Sequence, residues 1–232
     1  VTQAALIGGG SGIPRPGMVS LAHRGVLFLD ELPEFQKTVL DGMRQPMEEH
    51  KVQIARSAGM VTYPSDFILA AAMNPCPCGY YPDRNKCRCT QPQIERYLGK
   101  ISGPILDRID LCVELHPVDI LHLQKTGNQR SSEDMKKRIL GARKRQTERF
   151  TGTDCRFNGD IRSAQVEQYC PLGEEERKVM EQLYNTLQLS ARAYHRILKT
   201  ARTIADLEGR EQIAGEHLLE AACYRPSETY WN

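Results

Sequence analysis

The sequence predicts an α/β portion followed by an all-α portion. Two uninterrupted apolar runs support the first half, Val26-Leu27-Phe28-Leu29 and Phe67 to Met73. Each has the length of a strand and reads as buried on both faces, the pattern of a parallel sheet. Beyond a polar, glycine-containing passage at 124–132, apolar residues recur at helical spacing almost to the end. A sheet-bearing half followed by a helical half implies two subdomains, 1–123 and 124–232.

Taken in order, residues 5–20 are too rich in Gly and Pro for a regular element and read as an irregular loop or insert. After the first strand and Pro33, the spacing of Phe35, Val39, Leu40, Met43 and Met47 predicts a helix to Glu49, with Pro46 disturbing its end. Residues 51–64 alternate around Ser57-Ala58-Gly59, as a β-hairpin does. The second apolar strand ends in Asn74-Pro75, and a cysteine-rich excursion follows it. A helix is expected from Gln93 and a third strand over Ile109 to Leu115. In the second half, helices are expected over 133–150 and over Glu174 to Leu189. Another runs from an N-cap Ser190 to a terminal Gly209, with Ala193, Ile197, Ala201 and Ile204 on one face. A last helix follows Gly215.

Composition sets the outer limits. The chain has 232 residues, 40% of them apolar, which suits a globular protein of one large or two small domains. A formal charge of +2 neither requires nor excludes nucleic acid, so any basic surface is local. No apolar run approaches the ~20 residues that span a bilayer, and the amino terminus lacks a signal-peptide pattern. No membrane partner is therefore expected. Eight cysteines do not look like a secreted disulfide scaffold here; they point to a reducing cytoplasm, with metal ligation the use of those that cluster. The chain starts at Val1 in a Gly-rich passage, which reads as a piece of a longer protein.

The chemistry-bearing residues lie where these elements end. In open α/β sheets ligands gather beyond the carboxyl ends of the strands. Asp30 and Glu31 follow the first strand directly and fit a nucleotide site, Asp30 to hold Mg²⁺ and Glu31 to polarise the attacking water. A surface Asp-Glu after any buried strand gives the same letters. Asn74 ends the second strand, where an amide orients water or a γ-phosphate, or simply makes an Asn-Pro turn. Arg108 precedes the expected third strand, so it either reaches a phosphate on a neighbouring subunit or pairs with Asp107 or Asp110. Arg192, Arg196 and Arg202 are spread along the Ser190 helix, as lid arginines or as solvated surface.

Cys76-Pro-Cys78 and Cys87-Arg-Cys89 place four thiols within fourteen residues, a candidate structural Zn²⁺ site or a loop of free thiols. The C-x-C spacing is tighter than the usual zinc pattern. Cys112, Cys155, Cys170 and Cys223 are isolated and read as packing residues. From Arg130 to Arg149 there are eight basic residues against three acidic, either a phosphate-attracting helix or a solvated face.

The order of these features resembles the AAA+ ATPases: apolar strand plus Asp-Glu, apolar strand plus Asn, Leu-Asp-Arg before a strand, then Ser-x-Arg opening a helix. The wording GVLFLDELPEF, ILAAAMNPCPCG, ISGPILDRIDL and SARAYHRILKTARTIADLEG is similar to the ComM/YifB family of Mg-chelatase-like proteins. This resemblance covers nearly the whole chain. It implies a partial AAA+ P-loop-type parallel sheet with β-hairpin inserts over 1–123, from Walker B to the arginine finger, and a helical lid over 124–232. By the same resemblance Asp30 and Glu31 are the Walker B pair, Asn74 is sensor 1, Arg108 is an arginine finger acting on the next subunit, and Arg192 is sensor 2. Residues 5–20 and 51–64 match the family's hairpin inserts, which in related helicases face a DNA channel; that implies DNA contacts for Lys51 and Arg56.

One departure limits what the chain does alone. No G-x-x-x-x-G-K-S/T stands anywhere in it, and Gly8-Gly9-Gly10-Ser11-Gly12 has no lysine and follows no strand. The phosphate-binding loop is expected upstream of Val1, so this portion carries half an ATP site and is not expected to hydrolyse ATP by itself. The resemblance implies an ATP- and Mg²⁺-dependent motor, a ring (expected to be a hexamer) acting on DNA in branch migration, recombination or natural transformation. A chaperone that remodels a protein partner or aids metal insertion is the second reading. A non-catalytic, zinc-stabilised interaction module is the third.

Overall fold

A computed structural model of the chain describes residues 1–10, 13–56, 59–115 and 131–226. It contains mixed helix and small sheets in its first part and helices in its second. Contacts divide it into two compact units, one containing Val1–Ile109 and the other Asp110–Arg225. The polar passage at 124–130, where the sequence suggests a boundary, lies outside the described residues. No helix among them is long and apolar enough to cross a membrane.

The first unit opens with α1 (Gln3–Leu6), β1 (Gly8–Gly9), β2 (Arg15–Pro16) and α2 (Met18–Leu21). Residues 5–20, read from the sequence as an irregular loop or insert, are not irregular throughout, because β1 pairs antiparallel with β2 in a small ladder. Glycine makes this possible. A Cβ on Gly17 would stand 2.4 Å from the Gly8 nitrogen and from the Ile7 carbonyl carbon, so only hydrogen fits between the two backbones.

The central pair is β3 (Val26–Leu29) with β6 (Ile68–Ala71), parallel and in register from Val26↔Ile68 to Leu29↔Ala71. Leu27 and Leu29 enter a core with Leu6, Val19, Val39, Leu40, Met43, Val52, Ile54 and Ile105. Burial on both faces does not hold, since Val26, Phe28 and Ile68 are 60–67% exposed. The two-residue period of a strand turns them away from the core, which lies on the other side.

Between these strands the expected single helix is two, α3 (Lys37–Asp41) and α4 (Arg44–Glu49), after a 3₁₀ turn at Leu32–Glu34. Pro46 is the cause, but it acts at a start rather than an end. It offers no N–H to the Gly42 carbonyl and its ring crowds that group, so a continuous helix breaks there. Pro46 is instead accommodated in the first turn of α4, where no donor is needed. The expected hairpin forms from β4 (Lys51–Arg56) and β5 (Gly59–Pro64). Ser57 and Ala58 at its tip are outside the described residues. Helices α5 (Gln91–Leu98) and α6 (Gly103–Leu106) complete the unit.

The expected third strand, Ile109 to Leu115, is absent. Residues 110–115 make no ladder, and the Cys112 N–H donates instead to the Tyr224 carbonyl at 2.8 Å within the second unit. Leu111, Val113 and Leu115 are exposed. Their alternation has the period of a strand, but no described strand pairs with it.

The second unit is built from α7 (Ser132–Arg149), α8 (Val166–Tyr169), α9 (Glu174–Thr186), α10 (Ala191–Glu208) and α11 (Gly215–Cys223). Ser131 caps α7 and Ser132 is its first residue, so the linker read from composition ends before them. Helix α10 has the predicted limits. The Ser190 hydroxyl accepts the Ala193 N–H at 3.2 Å, and Gly209 closes the helix in the left-handed conformation at φ 81°. Ala193, Ile197, Ala201 and Ile204 are buried, as the spacing predicts.

Candidate nucleotide site

Register brings the carboxyl ends of β3 and β6 to the same sheet edge. The chain leaving each strand is stitched to the other: the Ala72 N–H donates to the Leu29 carbonyl at 2.9 Å, and the Leu32 N–H to the Ala72 carbonyl at 3.0 Å. Asp30 and Glu31 stand at this edge, both exposed, and Asn74 follows two residues after Ala72, also exposed. The carboxylate of Asp30 accepts the Glu31 N–H at 2.9 Å. Glu31 itself is left-handed, φ 49° and ψ 49°. That conformation costs a non-glycine residue roughly 1–2 kcal/mol, and such strain concentrates at functional sites. Two hard carboxylates at a strand end are of the ligand type that Mg²⁺ takes.

A residue the sequence did not single out lies beneath this edge. Tyr97, on α5, is buried among Cys76, Cys87, Ile94 and Leu98. Burial, and then its acidic neighbours, Glu34 foremost, push its phenol above the ordinary tyrosine value, partly offset by the Asn74 backbone. It links the Glu31–Asn74 edge to the cysteine loop.

Arg108 follows α6 and is nearly covered, its side chain 14% exposed. It engages Glu48 of α4 in an ion pair, and its Nη1 donates to the Pro104 carbonyl at 2.7 Å. The intramolecular partner read from sequence, Asp107 or Asp110, is corrected to Glu48; Asp110 pairs with Arg196 at 3.0 Å. Lys51 is exposed at the base of the hairpin, and Arg56 ends β4 opposite Gly59.

In the second unit Arg192 is exposed in the first turn of α10. Arg196 and Arg202 are not solvated surface. Arg202 is 2% exposed and spans from Asp206 at 3.2 Å to the carbonyls of Arg210 and Glu211, both at 2.6 Å. The basic helix is likewise only partly a solvated face. Arg149 reaches the buried Asp206, Arg145 donates to the Asp206 carbonyl at 3.4 Å, and Arg143 stacks over Phe157 at 4.0 Å. Arg130 lies outside the described residues.

The four clustered cysteines converge. Sγ separations are 3.4 Å for Cys76–Cys78, 3.8 Å for Cys76–Cys87 and 3.6 Å for Cys78–Cys87, and all four sulfurs lie within 4.8 Å of one another. A hydrogen bond from the Tyr80 backbone lowers the Cys78 thiol to about 6. Burial pushes Cys87 up and Cys89 up to about 12. Four sulfurs this close cannot all ionise unless a cation is shared among them. Glu208, Glu216 and His217 also gather in the second unit. There, His217 Nδ1 accepts the Ala214 N–H at 2.9 Å, leaving its Nε2–H to face Glu208, and Arg210 bridges both glutamates. That is an ion-pair network with no open ligand nitrogen.

Comparison with known proteins shows the family. Residues 1–123 match the family model described as magnesium chelatase, subunit ChlI, and residues 129–225 match its C-terminal counterpart. The chain is 46% identical over 225 residues to competence protein ComM of Haemophilus influenzae, covering 97% of this chain and 43% of that protein. It is 45% identical over 223 residues to YifB of Escherichia coli, a protein named as uncharacterised, with coverage of 95% and 43%. The magnesium-chelatase 67 kDa subunit of Chlorobaculum parvum is 24% identical over 184 residues, 71% of this chain and 26% of that subunit. The chain thus spans less than half the length of these curated relatives. It belongs to the magnesium chelatase ChlI family, in the branch that holds ComM and YifB.

Proposed function

We propose that this chain is the carboxyl-terminal part of an ATP-hydrolysing AAA+ module. The observation that carries the reading is the parallel β3–β6 pair, whose register sets Asp30, Glu31 and Asn74 at one sheet edge. ATPase activity is the general property of the family; the assignment of roles is our own. In that reading ATP and Mg²⁺ would bind at this edge, and the ion would supply neutralisation of phosphate charge. Asp30 holds the ion, Glu31 takes a proton from the attacking water, and Asn74 orients that water. Arg108 completes the site of the next subunit in a ring, expected to be hexameric, and Arg192 serves as sensor 2 on a helical lid. The reading takes the phosphate-binding loop from outside these 232 residues, which contain no G-x-x-x-x-G-K-S/T.

We assign the work of the motor to DNA, with Lys51 and Arg56 of the hairpin as contacts. The competence name of the Haemophilus relative supports this. The 67 kDa magnesium-chelatase relative favours a second reading, a chaperone ATPase acting on a protein partner or in metal insertion. A zinc-stabilised interaction module without catalysis is the third. Eight cysteines with no disulfide among them suit a reducing cytoplasm. Turnover by the full-length protein decides: stimulation by branched DNA and not by protein partners supports the first reading, the reverse supports the second, and no turnover at all supports the third.

A further inference from the structure

We propose that Cys76, Cys78, Cys87 and Cys89 hold one structural Zn²⁺, and that this metal fixes the turn carrying Asn74 against helix α5. The size of the sulfur cage is the first argument. Four thiolates bound tetrahedrally at about 2.3 Å stand about 3.8 Å apart. The three separations of 3.4, 3.8 and 3.6 Å match that edge, and the fourth sulfur is within reach. Disulfides would explain two separate pairs, each closed to about 2.05 Å, but not four sulfurs sharing one centre. The donor set is the second argument. It is all sulfur, with no carboxylate among the ligands, which excludes hard ions and selects zinc or iron.

The backbone around the cage is arranged to serve thiolates. The Tyr81 N–H donates to Cys76 Sγ at 3.5 Å, an outer hydrogen bond of the kind that orients metal ligands. Gly79 takes φ +82°, which turns the chain back after Cys78, and its N–H closes on the Cys76 carbonyl at 3.0 Å. The loop from Pro75 to Cys89 holds no helix or strand of its own. It has little apolar material to order it, and a metal would supply the missing folding energy.

The metal's place in the chain gives it its role. Asn74 is two residues before Cys76. Cys89 directly precedes Thr90, the N-cap of α5, whose N–H is held by the Gln93 side chain at 2.8 Å. Metal bonds therefore tie the end of β6 to the start of the helix that carries Tyr97. This positioning role rests on the reading of Asn74 as an ATPase residue; the metal site does not.

Full-length protein purified without chelator should contain about one zinc per chain, released as the thiols are titrated with a mercurial. Cobalt substitution should give the visible spectrum of tetrahedral thiolate coordination. Cys76→Ser and Cys87→Ser should lose the metal, while Cys223→Ser keeps it with an unchanged circular dichroism spectrum. Metal-free protein, bound iron alone, or two disulfides would overturn the assignment. Zinc removal should speed hydrogen exchange at 74–92 and slow ATP turnover by about tenfold to a hundredfold with ATP binding retained, both reversed by zinc. Unchanged turnover after complete removal overturns the positioning role. Normal turnover in Asn74→Ala overturns the sensor reading instead, and the metal content is unaffected by that result.

Discussion

Arg149 and Asp206 form a two-pronged ion pair at 2.5 and 2.7 Å, with the carboxylate fully buried. Asn158 donates to the same carboxylate at 2.8 Å, and Arg202 approaches it at 3.2 Å. Burial by itself would raise the Asp206 carboxyl; the bonds from Arg149 and Asn158 and the charge of Arg202 outweigh it and hold the group below its ordinary value. The pair pins α7 to α10, so this network, as much as the apolar stripe, fixes the helical unit.

Asp206→Asn should therefore destabilise the helical unit by roughly 3–5 kcal/mol, because Arg202 and Arg149 would lose their buried counter-charge. The pH dependence follows from the sign of the shift. A depressed carboxyl contributes stability above its unfolded value, 3.8, and loses it as pH falls through its lower folded value. The difference in melting temperature between native protein and variant should be large at neutral pH and shrink below about pH 4. A constant difference across that range would mean that Asp206 does not titrate against this network.

Glu31→Gln tests the role proposed for the β3–β6 edge. The substitution removes the carboxylate proposed to take a proton and leaves Asp30 and the strand pairing in place. In the full-length protein, ATP binding should persist while turnover falls by about a hundredfold or more. Near-normal turnover would take Glu31 out of the reaction.

Gly17→Ala probes the small ladder at the start of the chain. Its new methyl would stand 2.4–2.5 Å from backbone atoms of Leu6, Ile7 and Gly8, none of which is a flexible side-chain end. A loss of roughly 1–3 kcal/mol is expected. Gly103→Ala is the control, since its Cβ would meet nothing within 4 Å, and the first turn of α6 should accept it without loss. Equal thermal stability of the two variants would show that the ladder does not contribute.

How much was legible beforehand varied with the range of the interactions. The β3 and β6 strands, the hairpin and the limits of α10 depend on local signals, and those were readable: apolar runs, turn residues, a Ser cap and a closing Gly. The break between α3 and α4 was also local, but it needed Pro46 to be referred to the carbonyl four residues back rather than to the helix end. The extended residues 110–115 misled because alternation records a strand's period without its partner. Arg202 and Asp206 were missed because charged residues in a helix read as solvated. A signal was present, since both fall on the stripe of Leu198, Ala201 and Ala205 and carry opposite charges one turn apart. Tyr97 had no local signal, its meaning arising only when α5 packs beneath Glu31 and Asn74.

Arg108 and Glu48 provide the test of the ring. Within one chain they pair, and Glu48 sits at the end of α4, immediately before the hairpin that begins at Lys51. If Arg108 only held the fold, Arg108→Ala and Glu48→Ala would both lower the melting temperature, and mixing subunits would restore nothing. If Arg108 acts on a neighbour, Arg108→Ala should fold and bind ATP in the full-length protein but hydrolyse it poorly, whereas Glu48→Ala should keep turnover because its arginine survives. Mixed with an excess of Glu31→Gln subunits, the Arg108→Ala protein should regain part of its activity. Some interfaces would then set an intact Glu31 on one chain beside an intact Arg108 on the next. The mixing is read by ATP turnover, with subunit exchange verified by fluorescence transfer between labelled chains. Demonstrated exchange without any return of turnover would remove Arg108 from the neighbouring site and leave its ion pair with Glu48 as its role.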